Sequence, residues 1–141
     1  MALITLGANS GKGKVLQVVS DNITSSFSTS SQSYVTTSQS LSITPSSSSN
    51  KILVLFDCKI ATLAANTGLG FEIRRNGTAV AENTAYTATV SGNLTTNGNT
   101  SVLDTPNTTS ATTYEVFFKE TALSGTVNIS QRRLHLMEIA G

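Results

Sequence analysis

The strict alternation of residues 51–60, Lys-Ile-Leu-Val-Leu-Phe-Asp-Cys-Lys-Ile, constrains the fold of this chain more than any other feature. In an extended strand Ile52, Val54, Phe56, Cys58 and Ile60 share one face, and Leu53, Leu55, Asp57 and Lys59 share the other. The first half is apolar on both faces, which predicts a central strand partly covered on both sides. Weaker runs with the same period recur along the chain. Residues 15–19, Leu41 with Ile43, residues 69–75, 114–119, 126–129 and 132–139 all read as strands. Asn76-Gly77 sits between two of these runs and predicts a tight hairpin, because a type I′ turn needs positive φ at both central residues. Residues 91–110 carry Ser91-Gly92-Asn93 and Asn97-Gly98-Asn99 and read as an exposed loop with at most one short strand. The sum is eight or nine short strands and no helix. The expected fold is all-β, a single antiparallel β-sandwich of jelly-roll-like connection.

The polar half of each run is written mainly in hydroxyls. Ser and Thr make up 42 of the 141 residues, and charged residues only 12%. Disorder needs low hydrophobicity with high net charge, whereas this chain is 38% hydrophobic with a net charge of +1. Its length suits one domain able to bury a core without metals or cross-links. Residues 1–13, punctuated by Gly7, Gly11 and Gly13, read as a flexible N-terminal arm, and residues 14–141 as the sandwich. No basic face suggests nucleic acid, and no basic amphipathic stretch or long apolar run suggests a membrane. The lone Cys58 excludes an intrachain disulfide, and no leader-like segment appears, so synthesis in a cytoplasm is expected.

Catalytic, cofactor and metal sites are expected to be absent. His135 is the only histidine, and no Gly-X-Ser-X-Gly elbow accompanies the abundant serines. One His and one Cys make no zinc cluster, and no calcium loop or phosphate-binding loop is present. Six Asn-X-Ser/Thr triplets are what chance supplies in this composition. Asp57 stands out as a carboxylate in an apolar strand, with Lys59 on the same face as its expected partner. The paired arginines Arg74-Arg75 and Arg132-Arg133 each place one guanidinium on either face. Arg75, in register with Phe71 and Ile73, needs a partner that a neighbouring subunit would supply. Lys12, Lys14, Arg75, Arg132, Arg133 and His135 are therefore the candidate interface residues.

Several segments resemble one family. They are Gly13-Lys14-Val15-Leu16-Gln17-Val18-Val19, Leu41-Ser42-Ile43-Thr44-Pro45-Ser46, and Ser47-Ser48-Ser49-Asn50-Lys51-Ile52-Leu53-Val54. Leu103-Asp104-Thr105-Pro106 with the stretch from Thr108 to Tyr114, and the final Leu136-Met137-Glu138-Ile139-Ala140-Gly141, belong with them. In this order they resemble small virion structural proteins of tailed bacteriophages of aquatic bacteria. The resemblance implies a jelly-roll-like virion protein, commonly trimeric, with no catalytic residues. A chain without heptads, fibre repeats or a second domain suits a capsid decoration (cement) protein better than a tail fibre. Its expected partners are copies of itself, as a homotrimer, and the major capsid protein on the capsid exterior. The alternative is a tail-fibre or receptor-binding adhesin module that recognises a host surface glycan through residues 91–110, with Tyr86 nearby.

Overall fold

The structure is a computed structural model that describes residues 13–62, 67–86, 94–121 and 125–141. The expected arm lies outside the described residues except for Gly13, and Lys12 lies outside with it. Nine strands follow in order: β1 (Val15–Ile23), β2 (Phe27–Thr29), β3 (Val35–Ile43), β4 (Lys51–Thr62), β5 (Gly68–Arg75), β6 (Thr78–Tyr86), β7 (Leu94–Asp104), β8 (Thr112–Glu120) and β9 (Val127–Ile139). They form two antiparallel sheets, β1-β9-β4-β7 with β2 also beside β9, and β3-β8-β5-β6.

The connection is a jelly roll. The pairs β1·β9, β3·β8, β4·β7 and β5·β6 nest inside one another like a single long hairpin. Rolling that hairpin brings β9 against β4 and β8 against β5. At its innermost bend Asn76 (φ 47) and Gly77 (φ 83) make the expected turn.

The core lies between the sheets. Ile52, Val54, Phe56, Cys58 and Ile60 are all buried, as the alternation requires, and they meet Phe71, Ile73, Val116, Phe118, Ile129, Leu134 and Leu136. Phe56 packs edge-on against Phe71 with centroids 5.3 Å apart. Burial pushes the Cys58 thiol up to about 12, aided by the neighbouring Asp57 carboxylate.

The expected exposed loop at residues 91–110 is corrected by β7, whose eleven residues pair along β4 from Thr62 to Ile52. Residues 91–93 lie outside the described residues. The strand was hard to see because its inward positions carry Gly98, Thr100 and Val102 rather than large apolar groups. Gly98 is required there: a Cβ would sit 2.4 Å from Ile60 Cδ1 and 2.9 Å from Phe71 Cε2.

β9 contains the decisive irregularity. Its register to β4 slips by one residue between Ser130 and Arg133, with Gln131 at φ 49. This β-bulge shifts the inward set from Val127 and Ile129 to Arg132, Leu134, Leu136 and Glu138. Arg132 is therefore 2% exposed, inside the sandwich. It donates to the Thr37 carbonyl and to Ser25, and its guanidinium lies 5.9 Å from the Phe27 ring. Burial lowers its pKa from the usual value. The expectation that Arg132 contacts a partner is thus corrected, because its own chain encloses it.

At the other end of β9, Glu138 is 1% exposed and accepts four hydrogen bonds. The donors are Asn50 Nδ2 (2.6 Å), the Ser46 amide (2.7 Å), Ser46 Oγ (2.8 Å) and Gln17 Nε2 (2.7 Å). Burial alone would raise its pKa, but these bonds outweigh burial and hold it at about 2. The Ser-rich loop at residues 44–50 is thereby fastened to the sheet, and the Gly141 amide also donates to Asn50 Oδ1.

The unfolded chain holds this carboxyl at its ordinary value of 4.5, above the folded one. The stability it contributes is therefore complete above that value and lost as pH falls towards 2. Replacing Glu138 with Gln is expected to cost about 1.5–3 kcal/mol at neutral pH and to flatten the acid limb of stability. Urea unfolding across pH 2–5 checks this, and an acid limb like the parent's would contradict it.

Candidate interface on the outer face of the first sheet

The outward residues of β1, β9, β4 and β7 line up across the sheet in rows fixed by register. One row is Val18, Met137, Leu53 and Leu103. The next is Ser20, His135, Leu55 and Ser101, and the third is Asn22, Arg133, Asp57 and Asn99. The first row is apolar from edge to edge. Val18 and Leu103 at its ends are 55% and 52% exposed, and Val15 and Leu16 beside it are 48% and 45% exposed. These four are the exposed large hydrophobics among the described residues, and they gather on this one face. Contiguous apolar surface of this kind marks an interaction site more often than scattered exposed residues do.

Towards the bulge the face turns polar and shallowly concave. One hollow of about 260 Å³ is lined by Leu55, Asp57, Asn99, Ser101 and His135. It adjoins a second of about 240 Å³, lined by Asp57, Lys59, Asn97, Asn99, Gln131 and Arg133. Arg133 Nη1 donates to Asp57 Oδ2 at 3.1 Å, with both side chains about half exposed. The expected Asp57–Lys59 pairing is corrected here: the cross-strand register brings Arg133 opposite Asp57 instead.

The outer face of the other sheet is closed by its own contacts. Arg74 pairs with Glu72 and stacks 3.9 Å over Phe117. Lys119 lies 4.2 Å over the Tyr34 ring and 3.4 Å from Glu82. Tyr34 donates to Glu82 Oε1 at 2.6 Å. Burial first, and then this bond, raise the Tyr34 pKa, while the bonds from Tyr34 and Lys119 lower that of Glu82. Cation and ring, donor and acceptor are matched within the chain, so this face offers little to a partner.

The candidate residues therefore part company. Arg133 and His135 lie on the open face, and exposed Lys14 lies at its margin, its carbonyl accepting from the Ala140 amide. Arg75 does not need a subunit. Its Nη1 donates to both Asp104 oxygens at 2.8 Å, and the buried Tyr114 hydroxyl donates to Asp104 Oδ2 at 2.6 Å. Burial, reinforced by that bond, raises the Tyr114 pKa. The apolar row itself was missed by sequence reasoning, although Leu53 and Leu55 had already shown β4 to be apolar on both faces.

No protein-family model and no curated protein matches this sequence. Solved structures do match in fold. The VP2 subviral particle of infectious bursal disease virus gives a TM-score of 0.61 at 15% identity, over 100% of this chain and 37% of that one. The structure of the Gx strain of the same virus gives 0.58 at 16% identity, over 90% of this chain and 33% of that one. The chain spans about a third of the length of the proteins it matches. What they share with it is the antiparallel β-sandwich.

The two carboxylate pairs differ in consequence. Asp104→Ala strands a buried tyrosine hydroxyl and a guanidinium and is expected to cost about 2–3 kcal/mol. Asp57→Ala breaks a half-exposed pair and is expected to cost less than about 1 kcal/mol. Paired denaturant titrations check the difference, and equal losses would contradict it.

Proposed function

We propose that this chain is a virion structural protein, and specifically a capsid decoration protein without enzymatic activity. It works as a homotrimer on the capsid exterior, bound to the major capsid protein, and needs no nucleic acid, membrane or cofactor. The observation that carries the reading is the fold: the whole chain overlays a β-domain of a virus particle protein. The segments that resemble tailed-phage virion proteins fall on or beside β1, β3, β4, β7, β8 and β9 of this sandwich. Two further features support it. One face has its charged and aromatic groups paired within the chain, suited to solvent, and the opposite face carries an exposed apolar row, suited to a protein neighbour.

A second reading, a receptor-binding tail module, draws on the hollows beside Asp57 and Asn99. Asn97, Asn99, Asp57 and Arg133 have the polarity to hydrogen-bond sugar hydroxyls. Among the described residues, inward Phe56 and the imidazole of His135 are the aromatic groups lining either hollow, Tyr34 and Tyr114 are engaged elsewhere, and the side chain of Tyr86 lies outside the described residues. That weakens the sugar reading, because ring stacking supplies much of the affinity for a sugar.

Cosedimentation with expanded phage capsids tests the choice. Saturable binding to capsids, with none to host cells, is the expected result. Bare capsids together with binding to cells or their polysaccharide would overturn the decoration reading.

A further inference from the structure

We propose that the outer face of the β1-β9-β4-β7 sheet binds the same face of a second copy of this chain, about a two-fold axis that runs along the strands between β9 and β4. The contact is independent of the virion reading, and it leaves any threefold contact to other surfaces. Symmetry, charge and area of the face carry it.

The symmetry lies in the register. From either edge of the sheet, three consecutive rows present the same pattern. Val18, Met137, Leu53 and Leu103 are apolar at all four positions. Ser20, His135, Leu55 and Ser101 follow, with a serine at each edge and a larger side chain at each central position. Asn22, Arg133, Asp57 and Asn99 come next, with an asparagine at each edge and opposite charges at the centre. Exchanging β1 with β7 and β9 with β4 therefore sets every position against one of matching chemistry. A two-fold axis in the plane of contact, parallel to the strands, makes that exchange, and an isologous interface needs a surface of this self-complementary kind. A foreign partner imposes no such pattern.

The facing pairs follow. Val18 lies over Leu103 of the second copy, and Met137 over Leu53. Val18 and Leu103 are the exposed members of the apolar row, so each covers what the fold leaves in water. Ser20 lies over Ser101 of the second copy. Arg133 lies over Asp57 of the second copy, and Asp57 over Arg133. The pair that stands at 3.1 Å within one chain thus becomes a set of four alternating charges shared by two. Lys51 and Lys59 fall in the outermost rows, where long stems cover apolar surface while the ammonium groups reach water. An axis across the strands, centred on the same rows, reverses their order. It lays the apolar row on Asn22, Arg133, Asp57 and Asn99, and loses both matches.

Area agrees. The face extends over five rows, from Val15-Ile139-Lys51 to Lys59-Asn97. Strands about 4.8 Å apart and outward positions about 7 Å apart give four strands and five rows a flat area of roughly 650 Å². Side-chain relief raises the accessible area above this, towards the ~800 Å² per partner of a stable contact.

Charge reversal tests the contact. Arg133→Asp sets carboxylate against carboxylate at both facing pairs, and Asp57→Arg sets guanidinium against guanidinium. Each variant alone is expected to self-associate about tenfold or more weakly than the parent. Mixed, the two set carboxylate against guanidinium at both pairs, and a heterodimer about as tight as the parent dimer is expected. Sedimentation equilibrium of the full chain, with one variant labelled, reads all three. Both charges are half exposed, so unfolding temperatures should stay close to the parent's. Leu103→Lys checks the apolar half independently: it changes an already exposed position and is expected to weaken association by a similar factor. A parent that is a monomer or an odd-numbered assembly would overturn the proposal. So would variants that associate like the parent, or a mixture that fails to recover. No capsid enters the measurement, so failure to bind capsids would count against the virion reading alone.

Discussion

β9 is the strand on which the sandwich closes, and the direction of its side chains governs both the interior and the surface. It pairs with β1, β2 and β4, and among the described residues no other strand has three partners. A strand with regular alternation from Val127 would turn Arg133, His135 and Met137 into the core and expel Leu134 and Leu136. The extra residue at Gln131 prevents this. Beyond it the leucines face inward, Glu138 reaches the loop at residues 44–50, and Arg133, His135 and Met137 face out. The cost of the arrangement is a buried guanidinium at Arg132, whose terminal nitrogens donate to the Thr37 and Ser25 carbonyls and to Ser25 Oγ.

The same register divides the molecule into two unlike surfaces. On the β3-β8-β5-β6 sheet, cations lie over rings and tyrosine and lysine converge on one carboxylate. Such contacts satisfy polar groups locally and leave a surface content with water. On the β1-β9-β4-β7 sheet, apolar side chains from all four strands fall in line, and those at the two ends, Val18 and Leu103, are exposed. The abundant Ser and Thr matter in this contrast. Neutral hydroxyls give strands soluble outer positions without a strong charge field, so an apolar strip among them stays accessible to a partner at any ionic strength.

Much of this was legible in the sequence, and the illegible parts have physical causes. Alternation in residues 51–60 gave the inward face of β4 correctly, because large apolar groups marked it. Asn76-Gly77 gave the hairpin, because few other pairs tolerate its backbone. The opposite facing of Arg132 and Arg133 also followed from alternation. β7 was hidden because Gly98 fills a tight place under Ile60 and Phe71, where size rather than hydrophobicity decides, and the buried Thr100 follows it. The partners of Arg75 and Asp57 were hidden because they come from β7 and β9, distant in sequence and fixed only by register. The candidate face was half visible: Leu53 and Leu55 announced it, but its continuity with Val18, Met137 and Leu103 exists only once the strand order is known.

The central claim is that one face of this sandwich is built for contact and the other for solvent. Oxidative footprinting of the full chain, dilute and then in its assembled form, tests that claim most directly. Met137, Leu53 and Leu103 report on the first face, and Tyr34 and Phe117 on the second. The account predicts that assembly protects Met137, Leu53 and Leu103 while Tyr34 and Phe117 react as before. Protection of Tyr34 and Phe117, with Met137 still reactive, would contradict it.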